Sequence, residues 1–162
     1  MTTQRTISPV DGSVYVERTL ASPVQIEAAL ESARLAQRAW RAVPTSERAA
    51  ILGRFCDAFE SHRDAIAEEL SWQMGRPIRY SPSEVRGTLE RARHMIAIAP
   101  EALADIDVGP KAGFHRFLRR EPLGVIFTVA AWNYPYLIAV NSVVPALMAG
   151  NVALLKHASN VP

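Results

Sequence analysis

The sequence holds a single cysteine, Cys56, among 162 residues. An internal disulfide is therefore excluded, and a reducing cytoplasm suits the chain. Neither sign of charge is in real excess, since 18 basic against 16 acidic residues give a formal net charge of +2. Phosphate backbones are gripped by clustered Lys and Arg, and no basic stripe interleaves with aromatics here, which speaks against nucleic-acid binding. The opening MTTQRTISPVDGS lacks the apolar stretch of a signal peptide. Gly124 and Gly150 do not form GxGxxG, so the common dinucleotide fingerprint is missing. His62, His115 and His157 lack metal-ligand spacing, and there is no internal repeat or low-complexity segment.

One further absence is local. From Leu123 to Leu155 no residue is charged. A run of that length could span a membrane, but Asn133, Pro135, Asn141, Pro145, Gly150 and Asn151 interrupt it. A strand–helix–strand accounts for it better. Gly124 to Ala131 is β-rich and apolar without alternation, which predicts a parallel strand buried on both faces. Tyr136 to Ala149 predicts a helix, Gly150-Asn151 a turn, and Val152 to Lys156 a second strand. Such a βαβ unit has a right-handed crossover and collects ligands beyond the carboxyl ends of its strands. Asn133 and Lys156 fall at those ends.

Upstream, ISPVDGSVYVERTL (residues 7–20) predicts a hairpin turning at Asp11-Gly12. Ser22-Pro23 opens a helix striped by Ile26, Ala29, Leu30, Ala33 and Trp40. A second helix begins near Thr45, striped by Leu52, Phe55, Cys56 and Phe59. A third runs from about Arg63 to a Gly75 cap. In SPSE, Ser81 is expected to cap a fourth helix with Glu84 reaching back in a capping box, and Val85, Leu89, Ala92, Ile96 and Ala99 mark its apolar face. Residues 105–113 read as loop, and Phe114 to Arg120 as a strand exposing its charges.

The candidates for chemistry are few. The Asn133 carboxamide sits on a turn stiffened by Pro135, where it can donate to an oxygen gaining negative charge; spacing alone favours an asparagine bonded to its own turn. Lys156 suits a phosphate or a sugar hydroxyl at a strand end, or solvent. Cys56 shares a face with Leu52, Phe55 and Phe59, which points to an inert core thiol. Glu90 and His94 have the spacing of a surface pair.

Taken together, REPLGVIFTVAAWNYP, VPALMAGN and LLKHASNVP resemble the aldehyde dehydrogenase superfamily, whose members show Pro-x-Gly-Val, Pro-Trp-Asn-aromatic-Pro, Ala-Gly-Asn and Lys-Pro-(Ser/Ala)-Glu in this order. AQRAWRAVPTSERAAIL and the MGRP helix end resemble the family's N-terminal region, so the likeness covers nearly the whole chain. It implies an α/β fold in which a hairpin and helices lead into the first βαβ of a Rossmann-like sheet. Residues 1–104 would form the hairpin and helical part of the cofactor domain, 105–121 an arm of the oligomerisation region, and 122–162 the start of the NAD(P)-binding sheet.

By the same resemblance Asn133 matches the oxyanion-hole asparagine, Lys156 the lysine at the adenosine ribose, and Thr128, Ala130, Ala131 and Trp132 the nicotinamide end. The implied reaction is NAD- or NADP-dependent oxidation of a small-molecule aldehyde by a cytoplasmic homo-oligomer, a dimer or tetramer. The family's catalytic cysteine and glutamate lie far downstream, so this chain is expected to be the inactive N-terminal third of a larger enzyme. The alternative is a truncated, non-catalytic module that pairs with full-length subunits. Three departures stand out: Ala131 replaces a proline, His157 replaces another, and Ser159 stands where many NAD-preferring members carry glutamate. The ending KHASNVP is similar to some succinate-semialdehyde dehydrogenase-like members.

Overall fold

In the computed structural model, which describes residues 2–162, the chain opens on an antiparallel hairpin of β1 (Thr3–Ile7) and β2 (Val14–Thr19). The first strand thus ends at Ile7, where the sequence reading began it. The chain leaves the ladder because Ser8 is fully buried and donates its hydroxyl to the Trp72 carbonyl at 2.7 Å. The Asp11 carboxylate then accepts the Ser13 N–H at 3.0 Å and closes the turn. Helix α1 (Pro23–Trp40) starts in the expected way: Ser22 Oγ accepts the Gln25 N–H and the Gln25 side chain accepts the Ser22 N–H, a reciprocal capping box.

Helices α2 (Thr45–Ser61), α3 (Arg63–Met74) and α4 (Ser81–Ala102) follow. Helix α3 stops at Gly75, whose φ of +74° and 2.9 Å approach of Pro9 to a would-be Cβ leave room for no side chain. Helix α4 is the centre of the core. Its Val85, Leu89, Ala92 and Ala99 pack with Leu52 and Cys56 of α2 and with Val140, Val144 and Met148 farther along the chain. Cutting Leu89 to alanine in such a site costs about 2–5 kcal/mol. Three residues of the expected stripes, Ile26, Ala29 and Phe55, point outward. Phe55 lies at the edge of the α2 stripe and is exposed. Ile26 sits in the first turn of α1, a helix whose inward anchors, Gln37 and Trp40, come three turns later.

The SPSE reading needs correction. Tyr80, not Ser81, occupies the cap position, without a side-chain cap bond. Ser81 is the first helical residue and is buried against the Ser71 hydroxyl at 3.0 Å. Glu84 does not reach back, because its carboxylate is engaged with other elements. The strand expected over Phe114 to Arg120 is also shorter. Its ladder is confined to β4 (Phe117–Leu118) beside β3 (Ile106–Asp107), with Phe114 making only an isolated bridge to Lys111, and the Arg116 guanidinium bonds the Gly109 carbonyl and holds the intervening chain as a loop.

The uncharged run folds as β5 (Val125–Val129), α5 (Pro135–Met148) and β6 (Val152–Lys156), with the two strands parallel from Val125 beside Val152 to Val129 beside Lys156. Asn151 latches this unit: its Oδ1 accepts the Gly124 N–H at 2.8 Å, and its Nδ2 donates to the Ala146 carbonyl at 3.2 Å. Gly150 is required beside it, for its φ is +83° and Arg48 Nη1 lies 2.9 Å from a would-be Cβ. The strand is not buried on both faces. Thr128 is covered by α5, while Phe127 and Val129 on the other face are 67% and 61% exposed. Among the described residues, no helix is long and apolar enough to cross a membrane.

Candidate active-site turn and cofactor rim

The chain leaves β5 at Ala130, which is buried and donates its N–H to the Lys156 carbonyl at 3.0 Å. It then turns through Ala131, Trp132, Asn133 and Tyr134 before α5 begins at Pro135. A helix start leaves its first N–H groups without partners. Pro135 has none to satisfy, but Tyr136 and Leu137 do, and the cap residue Tyr134 offers no side-chain bond. The missing acceptor comes from α4. Glu84 Oε1 accepts the Tyr136 N–H at 3.0 Å and the Leu137 N–H at 3.3 Å. A carboxylate there is favoured by the helix dipole as well as by the bonds.

Glu84 is 1% exposed, and a bare charge at that depth would be costly. Its Oε2 pairs with Arg76 Nη1. The other terminal nitrogen of the same guanidinium donates to the backbone carbonyl of Asn133, and its plane lies over the Tyr134 ring, 4.5 Å from the centroid. One buried ion pair therefore touches residues 133, 134, 136 and 137. The Asn133 side chain itself is exposed, and its carboxamide makes no hydrogen bond among the described residues. Tyr136 next to it is half-buried, its edge toward Phe59 at 5.2 Å, and desolvation raises its phenol pKa.

The second strand end lies alongside. Lys156 is exposed at the last position of β6. Beyond it the chain closes a small turn, Ala158 beside Val161, and is tied to the hairpin: the Ser159 carbonyl accepts Gln4 Nε2 at 3.0 Å and the Thr6 hydroxyl at 3.4 Å. Ser159 itself is exposed. A cleft of about 210 Å³ lies at this end, with Ala130, Tyr136, Leu155 and His157 among its walls. Ala130, Ala131, Trp132, Asn133, Lys156 and Ser159 are thus gathered at one end of the parallel pair. Thr128 is not at that rim. It is buried beneath α5, its Oγ1 2.7 Å from Ser142 Oγ.

Cys56 is 1% exposed within the core, and burial pushes its thiol pKa up. Arg76 is not singled out from the sequence, and Glu84 is read there only as a capping-box residue. A signal for them was present: Ser81, Glu84 and Thr88 recur in helical phase with Val85, Leu89 and Ala92, which marks polar groups buried beside the apolar stripe.

A parallel strand pair joined by a helix is the βαβ unit of open α/β sheets, in which ligands gather beyond the carboxyl ends of the strands. The aldehyde dehydrogenase family matches residues 1–162, and the chain belongs to that family. A succinate-semialdehyde dehydrogenase [NADP(+)] of Mycobacterium avium is 34% identical over 160 residues, covering 97% of this chain and 34% of the relative. A fluoroacetaldehyde dehydrogenase of Streptantibioticus cattleyicolor is 35% identical over 160 residues, covering 96% of this chain and 31% of the relative. Among solved structures, an NAD-dependent benzaldehyde dehydrogenase from Corynebacterium glutamicum superposes with a TM-score of 0.90 at 31% identity, over 99% of this chain and 34% of that one. The chain spans about a third of the length of the relatives it matches.

Proposed function

We propose that this chain supplies the oxyanion-hole turn and part of the cofactor rim of an NAD(P)⁺-dependent aldehyde dehydrogenase. The observation that carries this is the Asn133 carboxamide: exposed, unbonded among the described residues, and mounted on a turn whose backbone is held from beneath by Glu84 and Arg76. An asparagine serving only its own turn would spend its carboxamide on that turn. Here the backbone is held by other residues and the amide N–H groups stay free to donate to an aldehyde oxygen as it gains charge. The nucleophilic thiolate comes from outside this chain, because Cys56 is sealed in the core.

The rim fits a nicotinamide dinucleotide. Small Ala130 borders the cleft with Ala131 next to it in the turn, the exposed Lys156 ammonium can meet ribose hydroxyls or phosphate, and the Ser159 hydroxyl replaces a carboxylate that would repel a 2′-phosphate. The bound cofactor supplies the hydride acceptor. NADP⁺ is accepted alongside NAD⁺, in keeping with the names of the Mycobacterium and Corynebacterium relatives. Those names also differ in the aldehyde at nearly equal identity, so the substrate is assigned only as a small-molecule aldehyde. The exposed arm 105–121 forms an oligomer contact of a cytoplasmic enzyme, and a lone buried thiol suits that compartment.

The test is Asn133→Ala in a full-length enzyme containing this chain. Acylation should slow by about a hundred- to thousandfold with cofactor affinity unchanged. A drop below about threefold, with acylation rate-limiting, refutes the assignment.

A further inference from the structure

We propose that Arg76 and Glu84 are positioning residues for the Asn133 carboxamide, acting through the backbone of its turn; the proposal rests on the reading of Asn133 as an oxyanion donor. A buried ion pair is a poor device for stability alone, because well-packed apolar residues of similar volume serve as well or better. What apolar residues cannot do is make the contacts seen here. Glu84 fixes the first two free N–H groups of α5, and Arg76 fixes the Asn133 carbonyl and the Tyr134 ring. Together they hold both ends of the peptide segment that carries the carboxamide. Only a planar guanidinium meets a carboxylate, a carbonyl and a ring face at once; a lysine ammonium keeps the charge but loses the fork and the stacking.

An oxyanion donor is effective when its direction is set before charge develops, and a misplacement of about 1 Å costs up to about a hundredfold. Arg76→Lys in the full-length enzyme should retain the ion pair with Glu84, and hence its thermal midpoint and cofactor affinity. Acylation should nevertheless fall by about ten- to a hundredfold. Because Arg76 acts through Asn133, the double variant with Asn133→Ala should be no slower than Asn133→Ala alone.

The outcomes separate cleanly. A slow Asn133→Ala beside a wild-type Arg76→Lys, or losses that multiply in the double variant, overturns the positioning role and leaves the oxyanion reading standing. A near-wild-type Asn133→Ala sinks the oxyanion reading and this proposal with it. Should Arg76→Lys fail to fold, the same cycle is run with Tyr134→Leu, which removes only the stacking from a half-exposed ring. A loss of about threefold that vanishes in the Asn133→Ala background supports the role, and a loss that persists there overturns it.

Discussion

The ends of β5 and β6 lie side by side, yet they are built differently. After β5 the chain is held by a buried carboxylate and a guanidinium reaching in from the α3–α4 side, and the next helix is capped by the same carboxylate. After β6 the chain is held by Gln4 and the buried Thr6, both bonding a single carbonyl and with no ion pair among the described residues, and Lys156 and His157 are exposed. On the proposed function, the difference answers two demands. Stabilising charge at a reacting atom requires a donor whose direction cannot drift. Choosing between two cofactors requires only that one charge or hydroxyl stand near the ribose.

The largest effect that would sharpen this contrast is on stability. Glu84→Ala leaves Arg76 buried without a counter-ion and two helix N–H groups without an acceptor, and should destabilise by about 3–5 kcal/mol, read as a fall in the thermal midpoint of the full-length enzyme. Glu84→Gln, which keeps an acceptor for Tyr136, should lose less. Equal midpoints for wild type and Glu84→Ala would remove the basis for treating the β5 end as rigid.

The second effect belongs to the β6 end. Ser159→Glu places a carboxylate on the exposed turn and should move the ratio of kcat/KM for NADP⁺ over NAD⁺ downward by about tenfold, leaving the midpoint unchanged. An unaltered ratio would mean that Ser159 does not face the ribose. A large fall in midpoint would break the comparison from the other side, since it would make the rim as structural as the turn.

Much of this was legible in the sequence for identifiable reasons. The βαβ unit was readable because an uncharged run broken by Pro and Gly-Asn has few other soluble solutions, and the Ser22 and Gly75 helix ends because their chemistry is local. The candidate residues at both strand ends followed from motif order. What failed was long-range. SPSE carries the local signature of a capping box, and the local rule lost because Glu84 gains more by serving α5 and Arg76 across the fold. Burial of the strand was likewise overestimated. Period alone cannot say which layers are present, and only α5 covers the Thr128 face.

The claim that the Asn133 turn is built before any ligand arrives is tested most directly by amide hydrogen exchange on the free enzyme. N–H groups in the first turn of a helix ordinarily exchange fast, because nothing bonds them. With Glu84 as their acceptor, the Tyr136 and Leu137 amides should be protected nearly as well as the core of α4, while those of the exposed Ser159-Asn160 turn exchange freely. Glu84→Ala should abolish that protection. Fast exchange at Tyr136 and Leu137 in the unmodified enzyme would contradict a preformed turn.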